Sequence, residues 1–176
     1  GELIRFAADG TELTHYDSSW SNVQSIAFDA DTALVAAGYF GGEIGVWKLD
    51  GTPVATMVPY LPRMEPLRIG AARAVQFISG QVLVSGHDDG HLVVTGLDGS
   101  ILQKWKAHDS ANAANTIWDL ALSPNHELIA TAGYDGLVKI WETPVRRNAR
   151  IGTPIMIAKG NRSWATAVCF RSNREL

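Results

Sequence analysis

Two histidines and two aspartates lie close together in the segment His87-Asp88-Asp89-Gly90-His91. Imidazole nitrogens and carboxylate oxygens are the usual ligands of zinc and other divalent metals, so this segment is the first candidate for metal chemistry. Successive side chains of a strand point to opposite faces, however, which works against convergence of these ligands. The segment is also in register with Gly133-Tyr134-Asp135-Gly136, which favours a tight turn with His87 on the loop. We therefore expect no bound metal and no cofactor.

A second stretch is strongly basic. Residues Val145-Arg146-Arg147-Asn148-Ala149-Arg150 contain no acidic side chain, and Lys159 and Arg162 follow them. The functional interpretation is a docking loop for an acidic partner or a phosphate, with Arg146 and Arg147 as its contacts. The alternative is a solvated insertion between two strands. Too few aromatic residues are interleaved with the charges to indicate a nucleic-acid groove.

Sequence signatures of catalysis are absent from this chain. It has no Gly-x-Ser-x-Gly motif, no glycine-rich phosphate loop before a helix, and no cysteine–histidine pair with supporting context. We therefore expect that the protein is not an enzyme.

The composition is that of an ordinary soluble globular chain, with 176 residues, 46% hydrophobic, 19% charged, and a net charge of -3. A weak negative charge gives no attraction to nucleic acid or to an anionic membrane. Cys169 is the only cysteine, which fits a reducing compartment, and no apolar run approaches the ~18 residues that span a bilayer. These properties predict a cytoplasmic protein that binds neither nucleic acid nor membrane.

A ten-residue pattern recurs along the chain and indicates which elements must position these side chains. It reads GELIRFAADG, GEIGVWKLDG and GHLVVTGLDG, and then decays to GLVKIWETP. These segments begin 41, 48 and 46 residues apart, at Gly1, Gly42, Gly90 and Gly136. Self-similarity at this period, with short strands in each unit, is typical of an array of small sheets of the β-propeller type.

Each complete repeat unit contains four short runs rich in Val, Ile, Leu and aromatic residues, which predict four strands. Asp-Gly pairs after the third strand predict type I′ hairpin turns, which require positive φ at both central residues, and no stretch has the apolar stripe of a helix. First strands are predicted at Val23–Asp29, Ala72–Ile78, Ile117–Ser123 and Trp164–Phe170. A single domain spans 1–176, with units at about 1–20, 21–60, 70–108, 115–158 and 160–176.

The best-preserved unit, SPNHELIATAGYDGLVKIWE at Ser123–Glu142, resembles a WD40 repeat, and the Leu-Asp-Gly-Thr/Ser turns resemble bacterial members of that family. The resemblance implies an all-β fold, a β-propeller of four-stranded antiparallel blades. About 3.5–4 blades are present, and we expect them to belong to a larger ring of about seven blades. It also implies a hydrogen-bonded tetrad that ties a loop to the strands of its blade, formed by His108, Thr131, Asp135 and Trp141.

The pattern opens on a third strand and closes at the start of a second strand, which leaves three interpretations. The chain is a piece of a longer protein, a four-bladed ring closed by its own ends, or half of an assembly of two copies. We expect a piece of a longer protein. Unpaired blade edges would also allow self-association.

In propellers of the kind that this chain resembles, the loops before the first strand and after the second strand line one rim, where partners usually bind. We predict that a partner contacts residues near these loops and a basic side patch, namely Trp20, Tyr39, Phe40, His87, Tyr134, Trp164, Arg146 and Arg147. The alternative is that several of the aromatic residues pack between blades. The residues predicted to form the core include Trp47, Trp141, Phe28, Phe77 and Phe170.

The role implied by the resemblance is a non-catalytic scaffold or sensor module that binds other proteins or peptides, within a larger signalling or multi-subunit protein. One alternative is a propeller enzyme, a metal-dependent hydrolase or lyase, for which Asp119 and His108 are the few candidate residues. The other alternative is a purely structural subunit of a large complex.

Overall fold

The computed structural model describes residues 2–18, 20–58, 70–109, 115–144, 146, 148–159, 163–173 and 175–176. These residues form fourteen β-strands and no helix, which confirms the all-β prediction. Within the same residues, no helix has the length and apolarity required to cross a membrane.

The strands form one two-stranded and three four-stranded antiparallel sheets, in which strands adjacent in space are adjacent in sequence. The two-stranded sheet, called here the N-terminal hairpin, contains β1 (Leu3–Phe6) and β2 (Glu12–Tyr16). Blade 1 contains β3 (Val23–Asp29), β4 (Leu34–Tyr39), β5 (Ile44–Lys48) and β6 (Pro53–Met57). Blade 2 contains β7 (Ala72–Ser79), β8 (Val82–His87), β9 (His91–Gly96) and β10 (Ile101–Lys106). Blade 3 contains β11 (Ile117–Leu122), β12 (Leu128–Gly133), β13 (Leu137–Glu142) and β14 (Met156–Lys159).

The Asp-Gly pairs form tight turns, but not the predicted type I′ turns, because their glycines have positive φ and their aspartates do not. Gly10, Gly51 and Gly99 have φ values of 88°, 86° and 82°, a left-handed conformation that glycine adopts without steric strain. In each turn the aspartate side chain accepts a hydrogen bond of 2.9 Å from the backbone N–H two residues further on. These turns fix the pairing of β1 with β2 in the N-terminal hairpin, of β5 with β6 in blade 1, and of β9 with β10 in blade 2.

The blades pack face to face through their apolar second strands. β4 is buried along its whole length, and β8 and β12 are buried from their second residue onward. One core cluster joins Ala36 and Val46 of blade 1 to Val75 and Leu83 of blade 2. A second cluster joins blade 2 to blade 3 through residues that include Leu92, Leu120, Ile129 and Trp141. Burial on both faces explains why the second strands are continuous apolar runs.

Side-chain hydrogen bonds connect the first strands of neighbouring blades. Ser25 Oγ in β3 accepts a 2.8 Å hydrogen bond from the backbone N–H of Val75 in β7. Asp119 Oδ2 in β11 accepts a 2.9 Å hydrogen bond from the N–H of Val168. The residue at the same register position of β7 is Ala74, which has no side-chain acceptor. The contact between blades 2 and 3 therefore lacks this bond; it combines apolar packing with a 2.8 Å hydrogen bond between His126 Nδ1 and the carbonyl of Ile78.

One prediction about strands is wrong, and one strand was not located. The segment Trp164–Phe170 is not a regular strand, although its Ala165 N–H donates a 3.1 Å hydrogen bond to the carbonyl of Gly133. No second strand pairs with this segment among the described residues, so the ladder that would define a strand is missing. Conversely, no sequence run was assigned to the fourth strand of the third complete unit, which is β14; it follows the basic stretch and pairs with β13.

The core prediction is confirmed for three of its five aromatic residues, because Trp47, Phe77 and Trp141 are buried. It is wrong for Phe28, which is more than half exposed, and Phe170 is only partly buried. Phe28 lies on the face of β3 that blade 2 does not cover. A core position in a blade therefore requires a neighbouring sheet as well as an apolar residue.

We predict that Ser25→Ala lowers the free energy of unfolding by about 1–3 kcal/mol, because the buried N–H of Val75 loses its acceptor. Urea denaturation measures this loss. Ser79→Ala is the matched control: Ser79 is exposed, and its Oγ accepts only a long 3.4 Å contact from Gln81 N–H, so a change within about 0.5 kcal/mol is expected. Equal stability of the two variants would contradict a stabilising bond between blades.

Candidate functional site

One end of the sheets carries the turns between second and third strands and the loops that enter the first strands, and we call this end the rim. Phe40, Asp88 and Tyr134 occupy equivalent rim positions, each directly after the second strand of its blade. Their backbone N–H groups donate hydrogen bonds of 2.9, 3.2 and 2.9 Å to the carbonyls that precede the first strands. The rim turns are therefore held at fixed positions by the adjoining loops.

Aromatic side chains from blade 3 and from the segment after it meet at the rim. The rings of Tyr134 and Trp164 are stacked, with centroids 4.6 Å apart and planes 28° apart. The ring of Trp118 lies 6.4 Å from that of Trp164. Trp164 remains 53% exposed despite these contacts. The rings of Trp118 and Tyr134 pack against Trp164, and together they form an aromatic surface that is partly open to solvent.

Arg73 connects this aromatic surface to blade 1. Its guanidinium carbon lies 5.3 Å from the ring centroid of Trp118 and 5.6 Å from that of Phe40. Its Nη1 donates a 2.6 Å hydrogen bond to Gln24 Oε1. Cation–π contacts of this kind hold a guanidinium in place without neutralising its charge. We call the connected set the rim strip; its members are Phe40, Arg73, Trp118, Tyr134 and Trp164.

Sequence reasoning did not include Arg73 in the site. Gln24, Arg73 and Trp118 each occupy the second position of a first strand, so they are equivalent in the repeat. Comparison of the repeats position by position would have placed all three at the rim. The sequence nonetheless contains no sign that Arg73 lies between two aromatic rings, because those rings belong to other blades.

Tyr39 and Trp20 do not belong to the rim surface. Tyr39 is fully buried, and Trp20 is half-buried between Tyr39 and Trp47, with ring centroids 5.0 and 6.2 Å apart. The predicted contact role is therefore wrong for Tyr39. Tyr39 is the last residue of β4 and points inward, whereas the next residue, Phe40, points outward and is 43% exposed.

His87 is also fully buried, which contradicts its predicted place on an exposed loop. Its Nδ1–H donates a 2.8 Å hydrogen bond to the carbonyl of Gly70, and its Nε2 accepts one of 2.9 Å from the hydroxyl of Ser85. Burial lowers the pKa of His87, so the ring stays neutral in the fold. His87 thus connects the loop that enters blade 2 to the second strand of that blade.

Blade 3 brings the four predicted tetrad residues together. Trp141 Nε1–H donates a 3.0 Å hydrogen bond to Thr131 Oγ1, which is 2.8 Å from His108 Nε2. His108 Nδ1 lies 2.8 Å from Asp135 Oδ1. Burial acts to raise the pKa of Asp135, but the hydrogen bonds and charges around it, that of His108 first, lower it overall. The chain of bonds connects the loop, the second strand, the rim turn and the third strand.

The three blades therefore hold their entering loops by different chemistry. Blade 1 uses packing of Trp20 against Tyr39 and Trp47, blade 2 the pair of Ser85 and His87, and blade 3 the tetrad. In blade 2, Thr95 occupies the position of the tetrad tryptophan, and its buried hydroxyl has no hydrogen-bond partner among the described residues. The rim turns are thus fixed in every blade although the tetrad is present only once among the described residues.

The basic stretch lies away from the rim, in the connection between the third and fourth strands of blade 3. Arg146 Nη1 donates a 2.5 Å hydrogen bond to Glu142 Oε1, and the backbone N–H of Arg150 donates one of 2.7 Å to Glu142 Oε2. Arg147 and Arg162 lie outside the described residues. Glu142 lies three residues before Val145 and partly neutralises the stretch.

The residues of the proposed metal cluster do not converge. His91 Nδ1 is 3.0 Å from Asp89 Oδ2 within the turn, whereas His87 is in the interior. Across the described ranges, no group of three or more His, Cys, Asp or Glu residues could hold a metal ion. Burial acts to raise the pKa of Asp89, but the hydrogen bonds from His91 outweigh it and lower the pKa to about 2. Asp88 is different: burial raises its pKa from 3.8 to about 6, against the opposing charge of Arg73.

Comparisons with known proteins agree with this architecture. A sequence profile described as "WD domain, G-beta repeat" matches residues 99–142, which include β10 to β13 and all four tetrad residues. No curated protein matches the chain significantly in sequence. One matching solved structure, described as the crystal structure of the computationally designed Ika4 protein, is 25% identical with a TM-score of 0.68. That match covers 93% of this chain and 89% of the other.

Four-stranded antiparallel sheets packed face to face define the class of the fold, which is a partial β-propeller of about 3.5 blades. The matched G-beta repeat, together with this architecture, makes it a propeller of the WD40 type. The resemblance to WD40 repeats found in the segment Ser123–Glu142 is therefore confirmed.

We predict that Thr131→Val lowers the free energy of unfolding by about 2–3 kcal/mol, because Trp141 Nε1–H and His108 Nε2 lose their shared partner in the interior. Chemical denaturation measures the effect. Thr95→Val makes the same change where the buried hydroxyl has no described partner, so no loss or a small gain is expected. A similar loss in both variants would show that the tetrad bonds add no stability.

We also predict that Asp88→Asn stabilises the protein above pH 6 and not near pH 4. The raised pKa of Asp88, about 6 against 3.8, means that the folded state binds its proton more tightly, so the parent loses stability as pH rises through this window. The variant lacks this loss, and other titrating groups cancel in the comparison. Thermal unfolding of both proteins across the window measures the difference; a difference in Tm that does not vary with pH would contradict the assignment.

Proposed function

We propose that this chain is a non-catalytic interaction module that binds a protein or peptide partner through its rim strip. WD40 repeats generally mediate protein–protein interactions, which supports the general class of function. The observation that carries the proposal is the stacked pair of Tyr134 and Trp164, because Trp164 is about half exposed although it has packing partners. Large aromatic side chains that are held rigid and left open to solvent are the usual anchors of protein interfaces.

The rigidity of the rim strip supports the same proposal. Each rim turn is held by a backbone hydrogen bond to the loop beside it, and each loop is anchored to its blade. Side chains that are already ordered lose little conformational entropy when a partner binds, so more of the contact energy contributes to affinity. The strip also joins residues of three blades and the following segment, which offers an extended surface to a partner.

The alternative of a propeller enzyme has less support. Its two candidate residues both have structural partners: Asp119 accepts hydrogen bonds from the N–H groups of Leu120 and Val168, and His108 is buried in the tetrad. WD40 proteins are also typically non-enzymatic. A purely structural subunit remains the second candidate, and the exposed apolar side chains Ile26 and Phe28 on the open face of blade 1 favour it.

The proposed setting is a scaffold or sensor within a larger signalling or multi-subunit protein of the cytoplasm. Its partners would be proteins or peptides rather than nucleic acid or membrane, and the net charge of -3 supports this choice. Self-association through open blade edges belongs to the same proposal. Arg146 and Arg147 would form a side patch separate from the rim strip.

We predict that each of the variants Trp164→Ala, Tyr134→Ala and Phe40→Ala binds peptides selected on the parent chain about tenfold more weakly or worse, because each variant lacks one aromatic contact. Short random-sequence peptides selected on the parent chain serve as probes, and fluorescence polarisation measures the dissociation constants. Phe6→Ala is the matched control, because Phe6 is 55% exposed, close to the 53% of Trp164, but lies at the opposite end of the sheets. Rim variants that bind as well as the Phe6 variant would exclude the rim strip as the surface.

A further inference from the structure

Arg73 carries a positive charge that no described side chain neutralises by an ion pair. Its direct contacts are the rings of Phe40 and Trp118 and the amide oxygen of Gln24, none of which is an anion, and the carboxyl of Asp88 acts on it electrostatically without forming an ion pair. No described carboxylate oxygen lies within ion-pair distance of its guanidinium. The guanidinium is thus held in place by its neighbours and has no ion-pair partner among the described residues.

Two N–H donors beside this charge also lack partners. Arg73 Nε–H and Trp118 Nε1–H are buried, and neither has a hydrogen-bond partner among the described residues. A buried donor without an acceptor costs free energy, so such groups are rare unless a bound ligand or water completes them. Because the two side chains are in contact and belong to different blades, their donors form a single region that requires an oxygen acceptor.

We propose that Arg73, with Trp118 beside it, binds a carboxylate of an acidic partner peptide at the rim strip. This inference rests on the proposed function and names the chemistry of the partner. The planar fork of a guanidinium matches the two oxygens of a carboxylate and forms short charge-assisted hydrogen bonds with them. The carboxylate can belong to an Asp or Glu side chain or to the C terminus of the peptide.

A basic partner fits this place less well. The ring faces of Phe40 and Trp118 that would attract a Lys or Arg side chain are already occupied by Arg73. A second cation would also be repelled by the guanidinium at short range. The aromatic pair of Tyr134 and Trp164 then provides the apolar contact for the residues next to the acidic group.

The neighbouring carboxyl of Asp88 favours a singly charged group over a phosphate. Asp88 is half-buried, and the charged groups that act on it are Arg73 of β7 and Asp89 of its own turn. The neighbouring loops contact its backbone through uncharged groups, the carbonyl of Ala71 and the hydroxyl of Thr116. An ionised Asp88 repels a dianion more strongly than a monoanion. Because the pKa of Asp88 is about 6, this repulsion disappears as pH falls through that value.

The first experiment identifies the peptide chemistry. Two pools of short random-sequence peptides, one with amidated C termini and one with free carboxylates, are incubated with the full chain, and retained peptides are sequenced by mass spectrometry. Enrichment of Asp and Glu in both pools assigns the side-chain carboxylate. Retention from the free-carboxylate pool alone assigns the C terminus, and both results support the proposal. Enrichment of Lys and Arg would overturn it.

The second experiment tests the residue. Arg73→Gln should weaken binding of a selected acidic peptide about tenfold or more, whereas Arg171→Gln, the same charge change at an exposed site at the opposite end of the sheets, should leave it unchanged. The Glu→Gln form of the peptide should bind the parent as weakly as the acidic form binds the variant. Arg73→Lys keeps the charge but loses the planar fork, so it should bind with an intermediate affinity. This result would show that the weaker binding of Arg73→Gln does not come from misfolding.

The third measurement uses pH. Binding of the acidic peptide should tighten as pH falls from above 7 to about 5.5, since Asp88 becomes neutral while the peptide carboxyl stays ionised. Asp88→Asn should bind more tightly at neutral pH and lose this dependence. A phosphoserine peptide that binds more tightly than its glutamate counterpart at neutral pH would overturn the choice of a carboxylate.

The outcomes separate the two proposals. Peptides that depend on Trp164 but bind the Arg73→Gln and Arg171→Gln variants equally would leave the rim strip as the surface and overturn the carboxylate site. Failure to retain any peptide that depends on Trp164 would overturn the proposed function and, with it, this inference.

Discussion

Burial of the second strand in each blade is the constraint on which the rest of this structure depends. β4, β8 and β12 are covered on both faces over almost their whole length, so a blade is stable only against a neighbouring sheet. The apolar clusters between blades meet this requirement and place the first strands side by side, where Ser25 and Asp119 add hydrogen bonds. Where the covering sheet is missing, as over Phe28, an aromatic residue of the same pattern is exposed to solvent.

Packing fixes the blades, and each loop that enters a blade has a side-chain anchor of a different kind. Aromatic packing, a histidine–serine pair and a tetrad serve as anchors in the three blades. In blades 1 and 2 the last residue of the second strand, Tyr39 or His87, points into the anchor. The next residue, Phe40 or Asp88, points toward the rim, as successive residues of a strand must. In each of these two pairs, the first residue anchors the loop in the interior and the adjacent residue contributes to the rim surface.

Equivalent rim positions have side chains of different charge and polarity in different blades, so the properties of the rim surface vary from blade to blade. Gln24, Arg73 and Trp118 share one position of the repeat, as Phe40, Asp88 and Tyr134 share another. A ring of identical blades would present the same side chain at every step. Here a single guanidinium lies between aromatic rings with a half-buried carboxyl nearby, so charge and apolar surface are placed at defined points along the strip.

The sequence alone determined the repeat, the glycine turns and the apolar second strands, because each depends on spacing within one unit, and the WD40 resemblance identified the residues of the tetrad. It misplaced Tyr39 and His87, since the loop and the last strand residue are adjacent in sequence and differ only in the direction of the side chain. It could not find the arrangement of Arg73 between Phe40 and Trp118, which come from three blades. Only the packing of one sheet on another brings those side chains together, because no local pattern records which residues of different blades will be neighbours.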